Sequence, residues 1–184
     1  MRLFVAYRIG AESAARVAAV VSSIRSQLPR ASWVGRDAYH LTFAFLGEHD
    51  PEVVPRVSAA LKAATAEAAT IEARLTGGGF FPNEKRPRVG WIAVEPHAPV
   101  IAVAAVVRAA IGSYGIRFDE KPFKAHLTLV RIRDDWNARD ATLFAEAIDA
   151  AGEIPFSLDR VSLFESRLLP SGAVHTELAH AELC

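Results

Sequence analysis

HLTFAFLG at residues 40–47 and HLTLVRI at residues 126–132 decide how this chain is read. Both open on His-Leu-Thr, and they stand 86 residues apart. The same offset lays RLFVAYR, from Arg2, over RVGWIAV, from Arg88. It lays the Ala-rich stretch after Gly10 over the one after Pro96, and the segment after Asp50 over that after Trp136. The 184 residues therefore hold two copies of one unit, approximately residues 1–86 and 87–172. A solenoid needs three or more repeats. Two copies are expected to form two halves of a single two-lobed domain spanning residues 1–184.

Hydrophobic periodicity assigns the elements. Residues 2–9 and 88–95 are short runs rich in β-branched and aromatic residues, which predicts strands. Val17, Val20, Val21, Ile24 and Leu28 recur at spacings of three and four, which predicts a helix over 11–28 that Pro29 ends. Val100, Val103, Val107 and Ile111 repeat that stripe before Gly112. A third helix is expected from Asp50-Pro51, a cap followed by a proline at the first position, with its counterpart near 137–151. Strands are expected to return at 71–76 and 156–165. The stretch GGGFFPNEKRP at 77–87 reads as a loop, and Leu168 to Gly172 as a turn before a last strand in which Val174, Thr176 and Leu178 alternate. Helices mixed with hairpin-linked strands predict an α+β fold with mostly antiparallel sheet.

The paired motif carries the chemistry. Six histidines and seven threonines in 184 residues give about 0.2 His-x-Thr tripeptides by chance. Both that occur sit at equivalent positions of the repeat. On a strand, residues i and i+2 share a face, so each histidine lies beside its threonine. Two such strands related by a pseudo-two-fold bring His40, Thr42, His126 and Thr128 to one cleft. A lone strand His-x-Thr is ordinarily structural. Burying two matched polar pairs together has a desolvation cost that structure alone does not explain. The set suits phosphodiester cleavage without a metal: one imidazole takes a proton from the attacking water and the other protonates the leaving oxygen. The threonine hydroxyls donate to phosphoryl oxygens.

Composition narrows the partners. Twenty-one basic residues balance 21 acidic ones, which argues against wrapping long nucleic acid or coating an anionic membrane. The single cysteine, Cys184, excludes an internal disulfide and any cysteine-based structural zinc site. The longest apolar run, Val100 to Val107, is far too short for a membrane span, and MRLFVAYRIG lacks the features of a signal peptide. A soluble, cytoplasmic protein is expected, monomeric and without a cofactor.

At these residues the sequence resembles the 2H phosphoesterase superfamily, and within it the RNA 2′,3′-cyclic phosphodiesterases first described as 2′-5′ RNA ligases. The resemblance extends over RLFVAYRI, FLGE after the first motif, GGGFFP with RPRVGW, PFKAH before the second motif, and SLFESRLLPSG. It implies a bilobal fold with the cleft between lobes, and hydrolysis of RNA 2′,3′-cyclic phosphate ends, or of small nucleotides bearing one, to 2′-phosphomonoesters. It implies His40 as proton donor to the 3′ oxygen and His126 as acceptor from water. Ligation of 2′,3′-cyclic to 5′-hydroxyl ends, hydrolysis of another small cyclic phosphate, and a non-catalytic RNA-end-binding module are the alternatives. Arg131 follows the second motif, as an arginine often does in this family. On a regular strand it points away from the cleft into a surface salt bridge; a bulge or strand end would swing it in to clamp phosphate. The chain departs from the family at Gly172-Ala173-Val174-His175, where a tyrosine is common in place of His175, and His175 is read as structural.

Weaker signals are better explained locally. His49-Asp50 lacks further spaced metal ligands, and Asp50 is read as a helix cap. The GGGF run lacks the Gly-Lys-Ser/Thr of a nucleotide loop. Lys85, Arg86 and Arg88 read as a solvated hairpin, and Phe80, Phe81, Trp33 and Phe123 as core aromatics.

Overall fold

The structure, a computed structural model, describes residues 1–169 and 172–184. Its elements run β1 (Arg2–Arg8), α1 (Ala11–Ile24), β2 (Ser32–Trp33), β3 (His40–Glu48), α2 (Val54–Thr65), β4 (Ile71–Phe81), β5 (Val89–Glu95), α3 (His97–Ser113), β6 (His126–Arg131), α4 (Ala138–Ala150), β7 (Ile154–Leu158), β8 (Arg160–Leu169) and β9 (Gly172–Glu182). Among the described residues the strands join one antiparallel sheet in the order β7-β4-β5-β6-β3-β1-β8-β9, with β2 beside β6. That order reads the same from either end once β1 is matched with β5, β3 with β6, and β4 with β8.

The sheet is two-faced. On β1 the alternation of Leu3, Val5 and Tyr7 feeds the main core, while Phe4 and Ala6 join Phe164 in a separate small cluster on the other face. The helices cover the core face with stripes such as Val17, Val21 and Ile24 of α1 and Val100, Val103, Val107 and Ile111 of α3. Each such side chain contributes about 1.5–3 kcal/mol by leaving water. The lobes do not coincide with the halves of the chain. Helix α3 packs on β3 and α2, and α2 on β8 and β9, whereas α1 lies with α4 and β7, and α4 on β4. Each lobe therefore draws on both halves, giving the expected two-lobed α+β architecture.

The centre of the sheet is narrow. Strands β3 and β6 pair only at Leu41 opposite Leu127 and then part. Beyond that point β2 takes up the edge of β6, with Ser32 and Trp33 opposite Arg131 and Val130.

Several local expectations are corrected. The strand expected to stop at residue 76 continues to Phe81, with a bulge at Gly77, whose φ of 71° is left-handed. Gly79 serves packing: a Cβ there would lie 2.3 Å from the Trp91 ring. The single strand expected over 156–165 is two, broken at Asp159, with β7 on β4 at one end of the sheet and β8 on β1 in the other lobe. One residue cannot link distant edges, so the sheet curls. Its ends are tied by Leu183 N–H to Asp159 O at 2.7 Å and Thr70 N–H to Cys184 O at 2.7 Å.

The Asp50 side chain caps nothing. A 3-10 turn, Pro51–Val53, precedes α2, and the Val53 amide is met by the Asp50 main-chain carbonyl at 3.1 Å. The side-chain cap occurs at α4, where Asn137 accepts from the Arg139 and Asp140 amides and Asp140 accepts from the Asn137 amide. Helix α1 ends at Ile24, short of Leu28. Finally, Leu168 and Leu169 lie in β8 and Gly172 in β9; the rest of the turn expected there, Pro170 and Ser171, lies outside the described residues. The alternation in β9 does not mark a core face, because Val174 on this edge strand is 46% exposed.

Candidate active site

The open face of β3 and β6 carries the two His-x-Thr pairs. Both strands begin at their histidine, and both show the pattern half-buried, buried, half-buried over His-Leu-Thr. The leucines enter the core and the polar side chains face the cleft. Because Leu41 is opposite Leu127, extending the antiparallel register sets His40 across from Thr128 and Thr42 across from His126. Cross-strand partners share a face, so the four groups form one grid at the junction of the lobes. Among the described residues neither threonine hydroxyl has a hydrogen-bond partner.

Each imidazole is oriented in the same way. His40 Nδ1 lies 2.6 Å from the carbonyl oxygen of Ala38, and His126 Nδ1 lies 2.7 Å from that of Lys124. A carbonyl only accepts, so Nδ1 carries the proton in both rings and Nε2 is left as the working atom. Burial pushes the His40 pKa down to about 4; the Ala38 carbonyl opposes that shift, while His175, Arg8 and Arg131 add to it. Burial also lowers His126, with Lys124 contributing and the carbonyl bond opposing. Burial in the cleft thus disfavours imidazolium, and most strongly at His40. An anion bound there reverses the sign of that field.

The position of Arg131 is decided by a bulge. In the pairing of β5 with β6, Gly90 faces Val130 but Trp91 faces Thr128, so Leu129 is the extra residue. Leu129 and Val130 both enter the core, and Arg131 returns to the face of Thr128. Its charge is felt at His40. The same device occurs in the other strand: Val5 faces Ala44 and Ala6 faces Thr42, so Phe43 is the extra residue and Phe45 emerges where Arg131 does in the second copy. Phe45 is 51% exposed, its ring 6.3 Å from that of Phe4.

The walls differ between the lobes. Around His126 stand Phe81, edge-on with ring centroids 4.8 Å apart, and Trp91 at 6.2 Å, with Lys124 Nζ 4.9 Å above Phe81. Around His40 stand Phe4 at 4.9 Å and His175 at 5.0 Å, both by ring centroids. Phe81 thus leaves the core role expected of it, whereas Phe80 is buried as expected. Trp33 and Phe123 pack against the core. His175, read as structural, lies in the cleft beside His40, and Arg8 is the register partner of His40 across β1 and β3. Sequence reasoning missed Arg8, since nothing local to RLFVAYR marks it; only the strand pairing does.

The remaining candidates fall outside the cleft. His49 Nε2 meets the Leu46 carbonyl at 3.1 Å. Arg88 pairs with Asp135 at 3.4 Å. A concavity of about 550 Å³ between Ala68–Glu72 and Pro99, Val103 and Val106 is apolar and includes none of the His-x-Thr residues. Among the described residues no group of three or more His, Cys, Asp or Glu side chains is placed to hold a metal ion, and no helix is long and apolar enough to cross a membrane.

The fold is shared with solved structures of other proteins over nearly the whole chain. It superposes on TT0787 of Thermus thermophilus with a TM-score of 0.77, at 28% identity, over 100% of this chain and 98% of that one. It also superposes on Escherichia coli LigT, solved with 3′-AMP, with a TM-score of 0.74 at 22% identity, over 99% and 97% of the two chains. The chain belongs to the 2′-5′ RNA ligase superfamily, whose model matches residues 11–168. It is 32% identical to an RNA 2′,3′-cyclic phosphodiesterase of Thermus thermophilus, over 97% of this chain and 88% of that protein. It is 26% identical to one of Thermotoga maritima, over 97% and 93%.

Proposed function

We propose that this protein hydrolyses the 2′,3′-cyclic phosphate at RNA 3′ ends to a 2′-phosphomonoester and a free 3′-hydroxyl, by acid/base action of His40 and His126 and without a metal ion. The observation that carries the reading is the paired orientation of the imidazoles, each with Nδ1 donating to the carbonyl two residues upstream. Among the described residues that arrangement leaves two Nε2 atoms free on one face, alongside two unengaged threonine hydroxyls. The curated relatives bear the name of this activity.

In the reaction, His126 Nε2 accepts a proton as a water oxygen attacks phosphorus. The bond from phosphorus to O3′ breaks, and O3′ takes the proton held on His40 Nε2. Thr42 and Thr128 donate to the non-bridging oxygens, and Arg131 opposes the charge that gathers there. His40 acquires its proton with the substrate: the phosphate anion offsets burial and the arginines, raising a pKa that these hold at about 4. Proton exchange with solvent then restores both rings.

The test is a short RNA ending in a 2′,3′-cyclic phosphate, incubated with the protein and EDTA, with and without a second RNA bearing a 5′-hydroxyl. A 2′-phosphate product in EDTA supports the reading. Dependence of turnover on a divalent ion rejects the two-histidine mechanism, a joined product makes ligation the activity, and tight binding without turnover makes the chain a binding module.

A further inference from the structure

The pseudo-symmetry of the cleft is broken on the His40 side. Arg8 stands opposite His40 in the β1–β3 register, so both side chains leave the sheet on the cleft face. Arg8 Nη2 donates to the main-chain carbonyl of His175 at 2.9 Å, and its guanidinium lies 4.6 Å over the Phe164 ring. These contacts fix the group in a half-buried position while using one of its five N–H donors. Among the described residues no carboxylate pairs with it. The His175 ring stands edge-on to His40 at 5.0 Å and to Phe4 at 4.9 Å, and among the described residues its nitrogens have no hydrogen-bond partner. The neighbouring acids are otherwise engaged: Glu177 accepts from His180 at 2.9 Å, and Glu165 pairs with Arg167 at 3.0 Å.

The direction of the reaction gives this corner a ligand. On the proposed function, His40 protonates O3′, so the ribose that keeps this oxygen lies against His40 while water enters from the His126 side. Arg8 and His175 stand on that same His40 side, where they can meet the 5′ substituent of the ribose. In RNA that substituent is a phosphodiester anion; in a nucleoside 2′,3′-cyclic phosphate it is a hydroxyl. We propose that Arg8, together with the His175 ring, forms a subsite for the 5′-phosphoryl group of the terminal nucleotide. The subsite makes the enzyme prefer a cyclic phosphate on a 5′-phosphorylated nucleotide over one on a bare nucleoside. The inference rests on the proposed hydrolysis and goes beyond it by naming what the enzyme reads next to the scissile group.

The experiment compares kcat/KM for a nucleoside 2′,3′-cyclic phosphate with that for the same compound carrying a 5′-phosphate, in wild type and Arg8→Gln. A preference of roughly ten- to hundredfold for the 5′-phosphorylated compound is expected, the range of a hydrogen bond to a charged group. It should lie in KM, fall to near one in Arg8→Gln, and return in part in Arg8→Lys. A wild-type ratio near one overturns the proposal. So does a ratio that survives Arg8→Gln while both rates fall together, which would make Arg8 a support for the sheet. Calorimetric binding of a nucleoside 2′,5′-bisphosphate against the 2′-monophosphate reads the same ratio without turnover. If neither cyclic substrate is hydrolysed the hydrolase reading fails, and the bisphosphate ratio still accepts or rejects the subsite.

Discussion

The charge state of His40 can be read from stability alone, before any catalysis. Its pKa lies at about 4 in the folded protein, chiefly through burial, against about 6.5 in an unfolded chain. As pH falls below 6.5 the unfolded state takes up a proton that the folded state refuses, so stability declines from pH 6.5 down to about 4 and then levels. At about 1.4 kcal/mol per pH unit of displacement, the loss attributable to His40 is on the order of 3 kcal/mol. His126 and His175 are lowered too and act in the same direction, so the effect of His40 must be isolated by difference. His40→Asn is the suitable partner, because its side-chain amide can still donate to the Ala38 carbonyl but does not titrate. Urea denaturation of both proteins at pH 7, 5.5 and 4 should show the wild type losing that much more stability than the variant. Saturating inorganic phosphate should shrink the difference by raising the His40 pKa. Parallel curves for the two proteins across this range would refute the claim that the cleft suppresses imidazolium at His40.

Further expectations concern the rest of the site. In Gly79→Ala the new Cβ would stand 2.3 Å from the Trp91 ring, so that ring must shift by more than 1 Å towards His126. We expect a loss of about 1–3 kcal/mol in stability and about a hundredfold in kcat/KM, with Trp91→Leu restoring much of the stability in a double-mutant cycle. His40→Ala and His126→Ala should each lower kcat/KM at least about a hundredfold. A substrate with a good leaving group at the 3′ position should rescue the first and not the second; rescue of the second would reverse the assigned roles. Thr42→Val and Thr128→Val should fold normally and lose roughly ten- to a thousandfold in kcat, if each donates to phosphate. Arg131→Met should raise KM and leave the melting temperature near wild type, since the group is exposed; an unchanged KM would return Arg131 to the surface.

The His-x-Thr repeat was legible because it is a local pattern. Strand periodicity puts i and i+2 on one face whatever the rest of the chain does, so His40 with Thr42 and His126 with Thr128 follow from the residues themselves. The helical stripes of α1 and α3 follow for the same reason, as period-3.6 burial. What the sequence could not decide is everything that depends on which strand lies beside which. The Leu129 bulge that turns Arg131 to the cleft exists only in the register between β5 and β6. The glycines at 77–79 read as a loop because what requires them is not local: a left-handed bulge at Gly77, helix α4 beside Gly78 and the Trp91 ring against Gly79. A break at Asp159 is invisible in a run of strand-forming residues, since it arises from closing a curled sheet and not from any local preference. Arg8 and His175, at positions 8 and 175, meet at 2.9 Å beside His40 because β1 lies between β3 and β8, with β9 at the edge. Side-chain chemistry and period are properties of short segments; neighbours across a sheet are set by the packing of the whole chain, and only the tertiary structure supplies them.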